Sequence, residues 1–227
     1  MRKSIFFLIV CCTLLSCHKD KDSVPVPTGI EYFPTDIGLY KIYDVHQIQY
    51  SNDTIDTIFQ MKEVIHDTFY YNNIVVYELY RYYRADQSKP WPQQPDSVWS
   101  FTTDLNQITI QEGSVNFVRL VFPLSAGKVW DGNTRNTYKQ DDYTVTNFNK
   151  PYAVNAVSFP ETCTVIEEQS KNLVFKDYRS RIYAKGIGMI FKHYEYLAYN
   201  TDAAFVGLDK VDYGSIREEK LIWYGKQ

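Results

Sequence analysis

From Tyr32 to the end of the chain, apolar and polar positions alternate in short runs, and helical spacing rarely persists beyond two turns. A period of two is the mark of a β-strand. Between Asn73 and Arg84, Val75, Tyr77 and Leu79 fall on one side, with Ile74, Val76, Tyr80 and Tyr82 on the other. Between Val115 and Phe122, Val118, Leu120 and Phe122 share a side, opposed by Val115, Phe117 and Val121. Both sides are apolar, so such strands are covered on both faces or carry tyrosines on the second. Ser51-Asn52-Asp53 follows the first strand, while Asn72-Asn73, Glu112-Gly113-Ser114 and Ser170-Lys171-Asn172 each separate a pair of apolar runs at hairpin spacing. Asn and Gly tolerate the positive φ that tight hairpins demand, which implies antiparallel pairing. Segments 138–148, 152–168 and 172–192 read as the longest strands, and Lys220 to Tyr224 as a closing one. Thr201 to Phe205 is the one helical alternative, with a capping Thr or Asp. The pattern predicts an all-β antiparallel barrel, half-barrel or sandwich of about nine to eleven strands, in a single domain over 32–227.

The first 31 residues follow different rules. Arg2 and Lys3 precede an apolar run from Ile5 to Leu15, the size of a signal-peptide core and too short to span a bilayer comfortably. Leu14-Leu15-Ser16-Cys17 then reads as a lipobox, with residues 1–16 removed and Cys17 lipidated. Several acyl chains on one residue give stable anchoring. Residues 17–31, charged at first and then rich in Pro, form a tether. The expected address is the cell envelope, as an outer-membrane lipoprotein facing the periplasm or the surface. The expected partner is therefore the membrane, through the lipid.

Composition agrees with strands: aromatic residues are 16% of the chain, with 20 tyrosines. Loss of Arg2 and Lys3 with the leader takes the formal charge from −3 to −5, which argues against nucleic acid as a partner. The nearest basic patch is Tyr178-Arg179-Ser180-Arg181. Of the four cysteines, Cys11, Cys12 and Cys17 belong to the leader or its cleavage point, so Cys163 has no internal disulfide partner. Its β-branched surroundings place it as a buried strand residue.

Three stretches resemble a group of secreted lipoproteins from Bacteroidota-type bacteria. They are Tyr32 to Val45, Phe122 to Asn133 (Phe-Pro-Leu-Ser-Ala-Gly-Lys-Val-Trp-Asp-Gly-Asn) and Tyr183 to Ile190 (Tyr-Ala-Lys-Gly-Ile-Gly-Met-Ile). The resemblance implies a secreted β-rich domain and carries over no activity. Read physically, Gly127 to Gly132 is a short strand ending in a turn, with Trp130 plugged against the core. Gly186 and Gly188 mark a bulge or a close backbone approach.

No catalytic constellation emerges. His18, His46, His66 and His193 lack metal-ligand spacing, and no Cys pair suits zinc. Asp141-Asp142 and Glu167-Glu168 read as solvated doublets, because neighbours on a strand point to opposite faces. Asp131-Gly132-Asn133 is short for a calcium loop. Gly-x-Ser-x-Gly is missing. No cofactor and no metal are expected. Aromatics gather between Tyr70 and Trp99, and the loop Asp86 to Asp96 holds Trp91 among three prolines, which bars it from a central strand. Trp91, Tyr82, Tyr83 and Trp99 with Arg84 are the candidate ligand-binding residues, since flat rings stack on sugars and Arg81 and Arg84 add hydrogen bonds. The expected function is a non-catalytic binding module for a glycan or an apolar ligand. The alternatives are a subunit docking onto another envelope protein, and a hydrolase.

Overall fold

The computed structural model describes residues 28–227; the leader, Cys17 and most of the tether lie outside them. The described chain forms twelve antiparallel strands. The first six are β1 (Leu39–Tyr50), β2 (Ile55–Tyr71), β3 (Ile74–Arg84), β4 (Ser97–Thr103), β5 (Gln107–Glu112) and β6 (Val115–Val121). The second six are β7 (Val129–Asp131), β8 (Asp142–Val154), β9 (Val157–Lys171), β10 (Phe175–Ala184), β11 (Gly188–Tyr199) and β12 (Val211–Lys226). Each strand pairs with its sequence neighbour, except at β6 and β7, and β12 returns to pair with β1 along its whole length. The result is a nearly closed up-and-down barrel, which leaves almost no free sheet edge. A few bonds bridge the seam between β6 and β7. The Val118 N–H donates to the Gly132 carbonyl at 2.9 Å, and the Trp130 indole donates to the Val118 carbonyl at 2.9 Å.

The all-β antiparallel expectation holds, and among the three architectures the barrel is adopted. The strand count is higher than expected because the apolar run 172–192 is a hairpin. Gly186 (φ 75°) sits in the tight β10–β11 turn, and Gly188 (φ 94°) opens β11 opposite Ala184. Apolar residues continue through that turn, so the pattern alone does not break there. Asn72 and Asn73 both take positive φ (48° and 63°) in the β2–β3 hairpin, as their chemistry asks. Residues 201–209 form isolated turns, not a helix.

One end of the barrel, here the lower one, is closed by the chain that enters it. Residues 28–38 cross this end through a short 3-10 turn at Ile30–Tyr32. The crossing is pinned by backbone bonds from Leu124 to Thr28, from Gly186 to Glu31 and from Gly38 to Ile65, each 2.8 Å. Tyr32 is fully buried, and Phe33 packs edge-on against Phe101 with centroids 5.1 Å apart. Above them lies the apolar core, including Tyr43, Met61, Ile108, Leu120 and Ile190. Cys163 belongs to this core as expected, and burial pushes its thiol up to about 12. A thiol so reluctant to ionise is no nucleophile at neutral pH.

Candidate functional site

The inward positions change character in the upper half of the barrel. Strand alternation turns Arg81, Arg181, Lys192, Arg217, Glu63 and Glu219 toward the axis, in rows set by register. Arg181 lies opposite Lys192, Lys192 opposite Glu219, and Arg217 opposite both Gln47 and Tyr194. Two bulges add to the set. In β6 the partners Ile108–Leu120 and Thr109–Val118 leave Arg119 as an extra residue. In β9 the partners Arg179–Glu168 and Ser180–Ile166 leave Glu167 as another. A bulge re-aims a side chain that a regular ladder would fix, and both of these meet inside the barrel.

There they form a four-membered ionic cluster. Arg119 reaches Glu112 at 2.7 Å and Glu167 at 3.0 Å; Arg181 reaches Glu167 at 2.6 Å and Glu112 at 3.2 Å. Arg119 also donates to the Tyr143 hydroxyl at 2.8 Å. Burial would raise both carboxyls, but the two guanidiniums outweigh it and hold Glu112 and Glu167 below the usual carboxylate range. A second group lies beside it. Arg217 meets Glu219 at 2.7 Å, and Arg81 meets Glu63 at 3.1 Å. Lys192, Arg217 and Arg81 hold the Glu219 carboxyl down at about 2 against the effect of its burial. The Arg81 Nε lies close enough to Glu63 for an ion pair, yet its N–H is not aligned for a hydrogen bond. Its guanidinium is instead stacked 3.6 Å from the centre of the Trp99 ring.

Glu112, Glu167, Arg119, Arg181, Lys192 and Arg217 line a cup of about 430 Å³ that opens at the upper end, away from the entering chain, while Glu63, Arg81 and Glu219 line a smaller space below it. The walls of the cup include Phe117, Tyr143 and Tyr194; Arg181 and Lys192 link it to the lower space, of about 40 Å³. That lower space has room for a few waters at most. Arg179, at the mouth, is held by Asp141 at 2.7 Å and Asp177 at 2.8 Å. Leaving Arg179 aside, six cations line the two spaces, the five above and Lys41, 3.9 Å from Glu63, against the four carboxylates Glu63, Glu112, Glu167 and Glu219. The cations are also the less satisfied partners. Among the described residues the Lys192 ammonium makes no hydrogen bond, and its near carboxylate oxygen, on Glu219, is 3.6 Å away. Arg217 is better served: Nε donates to Glu219 and Nη1 to Gln47, each at 2.7 Å, and Nη2 is directed at the Met61 sulfur, 3.8 Å away. Burial pushes Lys192 below its usual value despite Glu219 and Glu112.

The residues expected from sequence to bind a ligand divide between two faces. Tyr83 and Trp99 point inward: Tyr83 packs on Phe59 at 5.8 Å, and Trp99 lines the small lower space. Tyr82, Arg84 and Trp91 lie on the outer wall. Lys62 sits over the Tyr82 ring at 5.6 Å, and Arg84 stacks on half-buried Trp91 at 4.1 Å while donating to Gln60 at 2.6 Å and 2.8 Å. The barrel wall separates the two sets. Cys17 falls outside the described residues.

Other expectations shift as well. The basic patch at 178–181 is not a surface feature, because alternation sends Arg179 and Arg181 inward and both are ion-paired. Glu167 is not solvated but 6% exposed. Asp131 accepts the backbone N–H groups of Asn133 and Asp141, at 2.9 Å and 3.0 Å, which explains the Asp-Gly-Asn motif as loop architecture. Sequence reasoning passed over Arg119, Lys192 and Arg217. For Lys192 and Arg217 the signal was a cation at an inward position of the alternation, where an apolar residue is the rule, whereas Arg119 is turned inward by its bulge.

No protein-family model matches the chain, and none of the curated proteins matches it. Two solved structures are similar over most of its length. One is described as an exported protein with a YmcC-like fold from Bacteroides fragilis, at 11% identity, covering 86% of this chain and 98% of that one, with a TM-score of 0.45. The other is described as a lipoprotein from Parabacteroides distasonis, at 11% identity, covering 84% of this chain and 98% of that one, with a TM-score of 0.37. At that distance the likeness assigns neither a name nor an activity to this chain.

Proposed function

We propose that the chain is a lipid-anchored protein of the cell envelope and a non-catalytic binding module whose ligand enters the upper cup. The observation that carries this reading is the direction of the cup. Residue 28 enters at the plugged end and the cup opens at the opposite one. A barrel tethered through Cys17, itself only eleven residues before Thr28, would present the cup away from its membrane. The volume falls within the usual range for small-ligand sites, roughly 300–1,000 Å³. A rigid, hydrogen-bonded wall holds the lining side chains before any ligand arrives, which lowers the ordering cost of binding.

The experiment is a thermal-shift screen of small glycans and apolar ligands against the full chain in non-ionic detergent, with two variants. Tyr194→Ala alters the cup and Trp91→Ala the outer wall. The expected result is a ligand that stabilises the wild type and Trp91→Ala equally and loses its effect on Tyr194→Ala. Loss in Trp91→Ala alone would move the site to the outer wall. Mass spectrometry of Cys17 from the native host tests the anchor, and an unmodified thiol would overturn it.

A second reading, docking onto another envelope protein, draws on the β2–β3 hairpin tip. Tyr70 is 78% exposed and Tyr71 65%, at the same end as the entering chain.

A further inference from the structure

We infer that the cup selects an oxyanion, carried on a monosaccharide-sized polar body, through Lys192, Arg181 and Arg217. The inference rests on the reading of the cup as a binding site and names the class of ligand.

Three observations converge on it. The first is charge: the mature chain carries net negative charge, yet its interior cavity has two more cations than carboxylates. Buried charges occur paired, because an unpaired one loses its hydration with nothing in return. The second is saturation. Glu112 and Glu167 each meet two guanidiniums, and Glu219 meets Arg217 and Lys192. The carboxylates are thus used up inside the protein. Lys192 is the cation of the cup without a hydrogen bond among the described residues, whereas Arg217 is held by Glu219 and Gln47, each at 2.7 Å, and turns Nη2 to the Met61 sulfur. Donors left open on a shared cavity are complementary to acceptor-only groups, and a carboxylate, phosphate or sulfate is one. The third is arrangement. Lys192 stands opposite Arg181 on one side and Glu219 on the other, and Arg217 lies on the same strand as Glu219, two residues before it. The ammonium and the two guanidiniums therefore flank one position on the cup floor. Phe117, Tyr143 and Tyr194 stand around it as walls for a ring.

An oxyanion at that position would supply the missing acceptors and balance the excess charge. It would also restore to Lys192 the stabilisation of its charged form that burial removes. A neutral sugar would leave the donors without an ionic partner. An apolar ligand would strip them of water and give nothing back.

The test is calorimetric titration of the full chain in non-ionic detergent with glucuronate, glucose 6-phosphate and glucuronamide, the neutral isostere of glucuronate. At least one of the two anions binds, glucuronamide does not, and the stronger anion identifies the head group as carboxylate or phosphate. Binding weakens as salt rises. Lys192→Met weakens it about ten- to a hundredfold, as expected for a lost charged hydrogen bond, with near-ultraviolet circular dichroism reporting an intact fold. Should that variant not fold, the comparison of glucuronate with glucuronamide on the wild type decides alone. Equal binding of glucuronate and glucuronamide that is lost in Tyr194→Ala overturns the oxyanion while keeping the cup. Silence from both anions, or affinity unchanged in folded Lys192→Met, overturns it as well.

Discussion

The two halves of the barrel interior solve opposite problems. The lower half is mainly an apolar core in which Tyr32, Tyr43, Met61, Ile108 and Leu120 are fully buried, with Lys41, Glu63 and Arg81 gathered around one small space. Its thiol, Cys163, is held inert by burial. The upper half, on the same strands and only a few residues further along, buries guanidiniums, ammoniums and carboxylates around an open cup. Stability alone does not ask for that. Replacing a buried ion pair by well-packed apolar groups is often neutral or stabilising, whereas removing one partner is costly. The difference teaches where to look for function in such a barrel. The lower half explains why the chain folds, and the upper half retains expensive groups that folding does not require.

Mutations can break or sharpen this contrast. The largest effect belongs to the lower half: Phe101→Ala removes a ring stacked on Tyr77 (4.6 Å between centroids) and touched edge-on by Phe33, and should cost about 3–5 kcal/mol. Urea denaturation would measure it. Next comes Glu167→Gln, which leaves Arg119 and Arg181 short of a buried carboxylate. A loss of about 3 kcal/mol is expected in the same assay.

Acid should act through the upper half. Glu219, Glu112 and Glu167 are held below their ordinary values in the folded chain, so the unfolded chain binds more protons as the pH falls. Their contribution is complete above the ordinary carboxylate value. It is lost progressively below that value, for Glu219 down to about 2. Glu219→Gln should flatten this region of the stability profile, followed by circular dichroism against pH.

On the outer wall, Trp91→Ala gives up one stacked guanidinium and should cost about 1 kcal/mol or less. The smallest effect is expected for Lys192→Met. Removing an ammonium that makes no hydrogen bond should leave the unfolding free energy within about 0.5 kcal/mol, or raise it. A core lysine that held the fold together would behave in the opposite way.

Much of the architecture was legible along the chain. Alternation in β3 sorted Tyr77 and Leu79 from Tyr80 and Tyr82, and the Asn72-Asn73 turn fell where its chemistry placed it; in β6 the bulge pairs Val118 with Thr109 and Leu120 with Ile108, so the side expected to hold both is broken there. Two features were not legible, for physical reasons. A turn that keeps its apolar residues, such as 184–188, does not interrupt the pattern. A bulge such as those at Arg119 and Glu167 is a property of two strands together, invisible to the period of either one. Aromatic density along the chain does not show which side of the wall each ring takes. Tyr82 and Tyr83 are neighbours in sequence, yet the wall lies between their rings. The informative residues were single charges inside apolar strands. Arg119 between Val118 and Leu120 is the plainest.

Anomalous diffraction from crystals of the protein soaked in bromide would test the central claim most directly, because it locates anions without presupposing a ligand. The account predicts a bromide peak on the cup floor in contact with the Lys192 ammonium, and none in the lower core. Bromide bound at the surface alone, with the Lys192 position empty, would contradict it.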